Sequence, residues 1–160
     1  MSGLVSDNIS RASGLVKAAT VSGGKVLQVV QGTSTTALST SSTSFVDITS
    51  VEIAITPSAS TSKVLVMCHS TGGNSGSSHK ARYTIDRDGT NLGTTTYGFG
   101  AIKMDLASAI APVSITYLDS PSSTSELVYT MQALVSNASS TAKGNHGSST
   151  GCIICMEIGV

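Results

Sequence analysis

Charged and aromatic residues are both scarce in this chain of 160 residues, which contains no tryptophan. Asp, Glu, Lys and Arg make up only 11% of it, about half the usual share, and 9 acidic residues balance 9 basic ones. Scattered, balanced cations do not form the basic stripe of a nucleic-acid-binding protein, so we expect no nucleic-acid partner. A surface with so little charge also does little to repel other copies, and we expect self-association to cover part of it.

Long apolar runs and a secretion signal are missing too. No run of about 18 apolar residues could span a membrane as a helix, and the first residues have neither a basic region nor a long apolar core. We therefore expect no membrane partner. The 3 cysteines are an odd number, which argues against a disulfide framework and favours buried, reduced thiols in a protein made in a cytoplasm.

The apolar residues that are present lie in short blocks between Ser, Thr and Gly. Residues 63–69 form a long uncharged block after Lys63, and both faces of an extended chain would be apolar there. This pattern predicts a strand in the middle of a sheet, or at a contact between sheets or subunits. More clearly alternating blocks predict further strands at 25–31, 44–48, 51–56, 81–87, 90–93, 113–118, 126–135 and 152–158.

Several of these strands carry more specific predictions. Asp88-Gly89 between two strand-like blocks indicates a tight hairpin turn. Within residues 94–111, the second half (102–110) fits a short helix or an irregular strand, and we favour strand and loop. Alternation predicts that two sets of side chains face the core: Leu127, Tyr129, Met131, Ala133 and Val135, and Cys152, Ile154, Met156 and Ile158.

Residues 24–160 are therefore predicted to form an all-β domain, an antiparallel two-sheet sandwich of jelly-roll type. In residues 1–23 the apolar residues are spaced too loosely for an amphipathic helix, and Gly14 weakens one further. We expect an extended N-terminal arm that gains order on another surface; a terminus without a role is the alternative. The arm would make its contacts through Leu4, Val5, Ile9, Arg11, Leu15 and Val16.

Cys152 and Cys155 have the spacing of a redox or metal motif. On a strand, residues three apart point to opposite faces, so a disulfide or a shared ion would be geometrically poor, although a turn would revive the motif. His69, His79 and His146 lack the close ligand spacing of a zinc site. We expect no metal and no cofactor.

No catalytic motif is recognisable in the chain. The nucleophile elbow of serine hydrolases is absent, and the glycine-rich stretch at 98–103 lacks the third glycine and the βαβ context of a phosphate loop. We expect no enzyme activity. A hydrolase would have to depend on a residue such as Ser75, Asp86 or His146.

The loops at 72–79, 94–100 and 137–149 are where a sandwich would contact a partner or a glycan. The candidate contact residues are Asn74, His79, Tyr97, Phe99, Asn145 and His146. For Tyr97 and Phe99, packing into the core or into a seam between subunits is an equally good interpretation.

The order of several sequence blocks suggests a family. These are residues 24–30 (GKVLQVV), 42–47 (STSFVD), 55–58 (ITPS), 63–66 (KVLV), 86–93 (DRDGTNLG), 112–121 (PVSITYLDSP) and 156–158 (MEI). Together they resemble small β-rich structural proteins of tailed bacteriophages, especially of aquatic phages, over about residues 24–160. The resemblance implies a virion component, a capsid-surface or tail-fibre module, and brings no catalytic residues with it.

From this resemblance we expect a capsid decoration (cement) protein, assembled into the virion in the host cytoplasm. It would be a homotrimer that binds the major capsid protein or other virion proteins. The alternative is a short tail fibre or receptor-binding head that contacts host surface glycan. The small number of residues ahead of the sandwich favours the capsid.

Overall fold

The computed structural model describes residues 24–76, 78–104 and 109–160. These residues form β-strands and one short 3₁₀ turn, His146–Ser148, with no α-helix among them. The strands are β1 (Lys25–Ser34), β2 (Leu38–Thr40), β3 (Val46–Ile55), β4 (Lys63–Asn74), β5 (Lys80–Arg87), β6 (Thr90–Asn91), β7 (Gly100–Lys103), β8 (Ile110–Asp119), β9 (Leu127–Val135), β10 (Ala142–Gly144) and β11 (Gly151–Gly159).

Four antiparallel strand pairs are nested inside one another along the chain. They join β1 to β11, β3 to β9, β4 to β8 and β5 to β7. When such a ribbon of pairs is rolled up, alternate pairs fall into the same sheet. Sheet 1 accordingly contains β1-β11-β4-β8, and sheet 2 contains β3-β9-β5 with β6 and β7 on the free side of β5. This strand order confirms the predicted all-β, two-sheet sandwich of jelly-roll type.

β4 lies in the middle of sheet 1, as its apolar run predicts. It pairs with β11 on one side and β8 on the other, so that Val66 lies opposite both Cys155 and Tyr117. Val64, Val66 and Cys68 are buried between the sheets. Beyond the beginning of β11, β10 pairs with the last residues of β4, and β2 pairs with β10.

The inward sides of the two sheets form one core. The predicted inward face of β9 is confirmed, because all five of its residues at 127, 129, 131, 133 and 135 are buried. Sheet 2 also contributes Ile48, Val51, Tyr83 and Ile85, and sheet 1 contributes Val64, Val66, Ile115, Ile153 and Cys155.

The face assignment of the last strand is wrong. In β11 the residues that point into the core are Ile153, Cys155 and Glu157, whereas Ile154, Met156 and Ile158 are only half-buried, and Cys152 is buried on their side of the sheet. The two faces of this strand are both largely apolar, and the single charged residue, Glu157, lies on the inward one. Glu157 lies inside because hydrogen-bond donors from three other residues surround its carboxylate, a pairing that the local pattern does not reveal.

Other strand predictions hold with changed boundaries. Residues 44–48 and 51–56 belong to one strand, β3, which is interrupted by a register shift and by Ser50 at φ 59°. The hairpin at Asp88-Gly89 is confirmed, with φ 49° and 81° at its two central residues. Strand and loop, rather than helix, occupy the described parts of 94–111. β2 and β10 were not predicted, because three residues with mixed polarity carry no readable period.

The predicted N-terminal arm, residues 1–23, lies outside the described residues. So do its proposed contact residues Leu4, Val5, Ile9, Arg11, Leu15 and Val16. The arm and its contacts therefore stay predictions.

Replacing Ile153 with Ala should reduce the free energy of unfolding by about 2–4 kcal/mol, because its fully buried side chain would leave a cavity between the sheets. The matched substitution Ile53→Ala, at a partly buried site on sheet 2, should cost clearly less. Urea denaturation of the two variants measures the difference. Equal losses would contradict the inward placement of Ile153.

Candidate functional site

Asn145 was predicted to contact a partner, but its side chain is fully buried, so this prediction is wrong. Asn145 forms the corner between β10 and β11, where its left-handed backbone (φ 47°) is one that asparagine tolerates. Its N–H donates to Ser70 Oγ (2.9 Å), and the Ser70 hydroxyl donates back to Asn145 Oδ1 (2.9 Å). The residue holds the corner together and offers nothing to a ligand.

Asn74, at the end of β4, is also fully buried, and the prediction of a loop contact is wrong here as well. Its Oδ1 accepts the N–H of Met104 at 2.9 Å, and its amide donates to the carbonyl of Gly76. In sequence, Gly72-Gly73-Asn74 looks like the start of a loop. In the structure these residues continue β4, because Gly73 and Asn74 pair with β10.

The two predicted histidine contacts lie in different loops and are half-buried. His79 Nε2 lies 3.1 Å from Ser139 Oγ, which ties the loop before β5 to the loop after β9. His146 opens the 3₁₀ turn that follows Asn145. Contact with a partner stays a prediction for both.

Tyr97 and Phe99 are exposed aromatic residues, at 53% and 36% of their full accessibility. The loop that carries them is held against β5, because Phe99 N–H donates to the carbonyl of Tyr83 at 2.9 Å. The Arg82 guanidinium lies over the Tyr97 ring at 4.5 Å, and the Phe99 ring packs against Tyr117 with a centroid distance of 5.1 Å. The loop is therefore a fixed surface feature that presents two rings to solvent.

A groove of about 400 Å³ opens beside Phe99, between β7 of sheet 2 and β8 of sheet 1. Phe99, Ile102, Val113 and Ile115 give it apolar walls, and Ser114 and Thr116 add hydroxyls. Tyr83 also lines it, but its hydroxyl accepts from Gly73 N–H and donates to the carbonyl of Lys143 (2.7 Å). No carboxylate, imidazole or thiol is among the described residues that line this groove, so it has binding surface without acid–base groups.

The outer face of sheet 1 is an apolar surface built from four neighbouring strands, and the sequence analysis missed it. We call it the sheet-1 patch. Val26, Val29 and Leu118 are 55%, 54% and 47% exposed, and the other members are half-buried. The sequence contains a signal for this surface, because the blocks at 63–69 and 152–158 have apolar residues on both faces of the strand, and only one face can point into the core. The members are Val26, Val29, Leu65, Met67, Leu118, Ile154, Met156 and Ile158.

Glu157 is a buried carboxylate at one end of the core, and it is 1% exposed. Its Oε1 accepts the N–H (2.8 Å) and the hydroxyl (2.6 Å) of Ser58, and its Oε2 accepts the amide of Gln28 at 2.8 Å. Burial alone would raise the pKa, but these hydrogen bonds and one from Ser62 outweigh it and lower the pKa from 4.5 to about 2. The carboxylate thereby ties β11 to β1 and to the connection before β4.

Asp119 is a second buried carboxylate, at the end of β8 and at the same end of the sandwich as Glu157. Its Oδ2 forms an ion pair with Arg87 Nη1 (2.5 Å) and accepts the hydroxyl proton of Tyr129 at 2.7 Å. Burial, followed by the hydrogen bond to Asp119, raises the pKa of Tyr129. Because Asp119 is in sheet 1 and its partners are in sheet 2, this group joins the two sheets.

All three cysteines are free and buried. Cys152 and Cys155 lie on opposite faces of β11, as a strand requires, so the two thiols form no disulfide and point away from each other. Gln31 donates its amide hydrogen to Cys152 Sγ at 3.2 Å. Burial raises the pKa of Cys68 and that of Cys155 to about 12, which leaves these thiols protonated at neutral pH.

Ser75 and Asp86, two of the residues on which a hydrolase could depend, lie near opposite ends of β5. Ser75 precedes β5, where its hydroxyl lies 3.2 Å from Ser140 Oγ, while Asp86, at the far end of β5, accepts the N–H of Gly89 at 2.7 Å. Within the described residues, no three His, Cys, Asp or Glu side chains come together as a possible metal site. Nor do they include a helix long and apolar enough to cross a membrane.

Comparison with known proteins does not assign the chain to a family. No protein-family model matches the chain, and no curated protein matches it either.

Replacing Glu157 with Gln should lower the free energy of unfolding by about 3 kcal/mol at neutral pH, because the amide cannot accept all the hydrogen bonds that the carboxylate accepts. Folding lowers the pKa of Glu157, so its contribution is complete above pH 4.5 and is lost as the pH falls towards 2. The wild type should therefore lose more stability than Glu157→Gln over this range. Denaturation at a series of pH values measures this, with the exposed Glu126→Gln as the control.

A parallel pH dependence in the wild type and in Glu157→Gln would contradict the assignment. It would mean that the carboxylate has the same pKa in the folded and unfolded chains.

Alkylation by iodoacetamide at mildly alkaline pH should be very slow for Cys68 and Cys155 in the folded protein, because their pKa values of about 12 leave little thiolate. In concentrated guanidinium all three cysteines should react quickly, which serves as the control. Mass spectrometry with time gives the rates. Rapid modification of both thiols in the folded protein would contradict their burial.

Proposed function

We propose that this protein is a structural component of a bacteriophage virion, a capsid decoration (cement) protein that acts as a homotrimer. The protein binds the major capsid protein or other virion proteins during assembly in the host cytoplasm. It performs no reaction. Its mechanism is additive contact area: it bridges neighbouring capsid subunits and has affinity for the assembled shell but not for dissociated subunits, so it stabilises the shell by mass action.

The observation that carries this proposal is the apolar character of the outer face of sheet 1. A soluble monomer rarely exposes a contiguous apolar surface larger than a few hundred Å². Here apolar side chains from four neighbouring strands face outwards, in a chain with only 11% charged residues. A subunit of a larger assembly buries such a surface in its contacts, and the resemblance to phage structural proteins supports a virion as that assembly.

In this proposal, residues 1–23 add contact along the shell. They join the sandwich at β1, an edge strand of sheet 1. Their apolar residues, together with Arg11, would extend the contact area beyond the sandwich itself.

Deleting residues 2–20 should lower the number of copies bound per particle, because it removes the contact area of the arm. Decorated particles imaged by electron microscopy measure the occupancy, and the deletion variant should show an unchanged unfolding midpoint. Unchanged occupancy would contradict the role of the arm. An absence of the protein from shells and tails would contradict the proposed function as a whole.

A second candidate, a short tail fibre or receptor-binding head, is favoured by the loop that carries Tyr97 and Phe99. The flat faces of exposed aromatic rings suit stacking on sugar rings, and the adjoining groove offers two hydroxyl side chains for hydrogen bonds. The same particle images separate the candidates. Copies spread over the shell support decoration, and a few copies at one vertex support the tail.

A further inference from the structure

The sheet-1 patch is organised as rows that run across the strands. One row consists of Val29, Met156, Leu65 and Leu118, which are directly opposite one another on β1, β11, β4 and β8. Side chains in such positions lie about 5 Å apart, so the row is continuous across the sheet. On one side of it Val26 lies opposite Ile158, and on the other Ile154 lies opposite Met67.

The polarity of the face changes along the strands. Two rows beyond the apolar one, the outward residues are Thr33, Cys152, His69 and Ser114, which are mostly polar. The apolar part therefore lies towards the beginning of β1 and the end of β11. The alternating residues of these four strands place one lysine, Lys63, and no carboxylate on the outer face.

The dimensions of this face suit a contact between protein subunits. Four strands span about 19 Å, and the five residues from Ile154 to Ile158 span about 16 Å, which gives roughly 300 Å² of projected face. The relief of the side chains increases the accessible area, so the patch can supply the apolar centre of an interface of roughly 800 Å² per partner.

The charge distribution favours a second copy of this chain as the partner. A face without carboxylates and with one marginal lysine has no pattern with which to recognise a charged partner, and two such faces meet with little repulsion. The whole chain is neutral, with 9 acidic and 9 basic residues, so copies approach one another without a long-range barrier. Outward carboxylates are found on sheet 2 instead, at Asp47 and Glu52 of β3.

We propose that the sheet-1 patch is the contact through which copies of this chain associate. The inference rests on the homotrimer of the proposed function and names its interface. Around a three-fold axis, the β1–β11 half of one patch packs against the β4–β8 half of the next, a closed head-to-tail arrangement. The loop with Tyr97 and Phe99, carried by sheet 2, is left free for another partner.

The test is the double substitution Val29→Glu and Leu118→Glu in the full chain. Both side chains are about half exposed in the isolated subunit, so the core is not disturbed, but in the contact each introduces an unpaired buried carboxylate. We expect the wild type to be an oligomer, and the variant to need a concentration about 100-fold higher or more for half-association. Light scattering and sedimentation across a concentration series measure this.

Tyr97→Glu is the matched control, because Tyr97 is equally exposed but lies outside the patch, and its variant should stay as associated as the wild type. Should the double variant fail to fold, judged by circular dichroism, the uncharged pair Val29→Thr and Leu118→Gln replaces it, with a smaller shift in the same direction. A monomeric wild type, or variants that stay fully associated, would overturn the inference. If residues 1–23 or another protein cover the patch, the wild type should also be monomeric, and this result would likewise overturn the inference.

The inference and the proposed function fail separately. If the wild type associates through the patch but binds no phage particle, the proposed interface is supported and the proposed virion role is contradicted. If the wild type is monomeric but still decorates shells, the virion role is supported and the proposed interface is contradicted. If the wild type is a dimer and the double variant is a monomer, the patch is supported as the contact and the trimer is contradicted.

Discussion

The nested pairing of strands is the constraint on which the rest of the structure depends. β1 at the start of the described chain pairs with β11 at its end, and each later pair lies inside the previous one along the chain. Rolling this ribbon forces alternate pairs into opposite sheets, and so it decides which residues share a face. Because β4 is enclosed by β11 and β8, Leu65 meets Met156 and Leu118, and an apolar surface is formed from residues far apart in sequence.

The ends of the sandwich depend on polar groups. Glu157 and Asp119 both point inwards from sheet 1 at the same end, but each is satisfied in a different way. The Glu157 carboxylate is held by hydrogen bonds from Ser58, Ser62 and Gln28, none of which is a cation. The Asp119 carboxylate instead forms an ion pair with Arg87 and accepts a hydrogen bond from the Tyr129 hydroxyl. In both groups the partners hold strands together at this end of the sandwich.

Local sequence patterns predicted which segments are strands, but they did not predict every feature that depends on strand pairing, such as which face of a strand is buried. Alternation was sufficient for β9, whose two faces differ clearly in polarity. It failed for β11, where both faces are apolar and the one charged residue, Glu157, is buried. It also failed for Asn74 and Asn145, because a polar residue next to glycines is typical of a loop, and only the pairing of β4 with β10 encloses both. The jelly-roll class could be predicted from strand number and turn spacing, whereas the sheet-1 patch required the register.

The nested order also has a consequence for synthesis. A ribosome makes β4 long before β11, and β1 earlier still, so two strands of sheet 1 leave the exit tunnel without the neighbour that lies between them. Native-like closure of this sheet has to wait until β11 has been made. Until then, the apolar sides of β1 and β4 are open to chaperones and to other nascent copies.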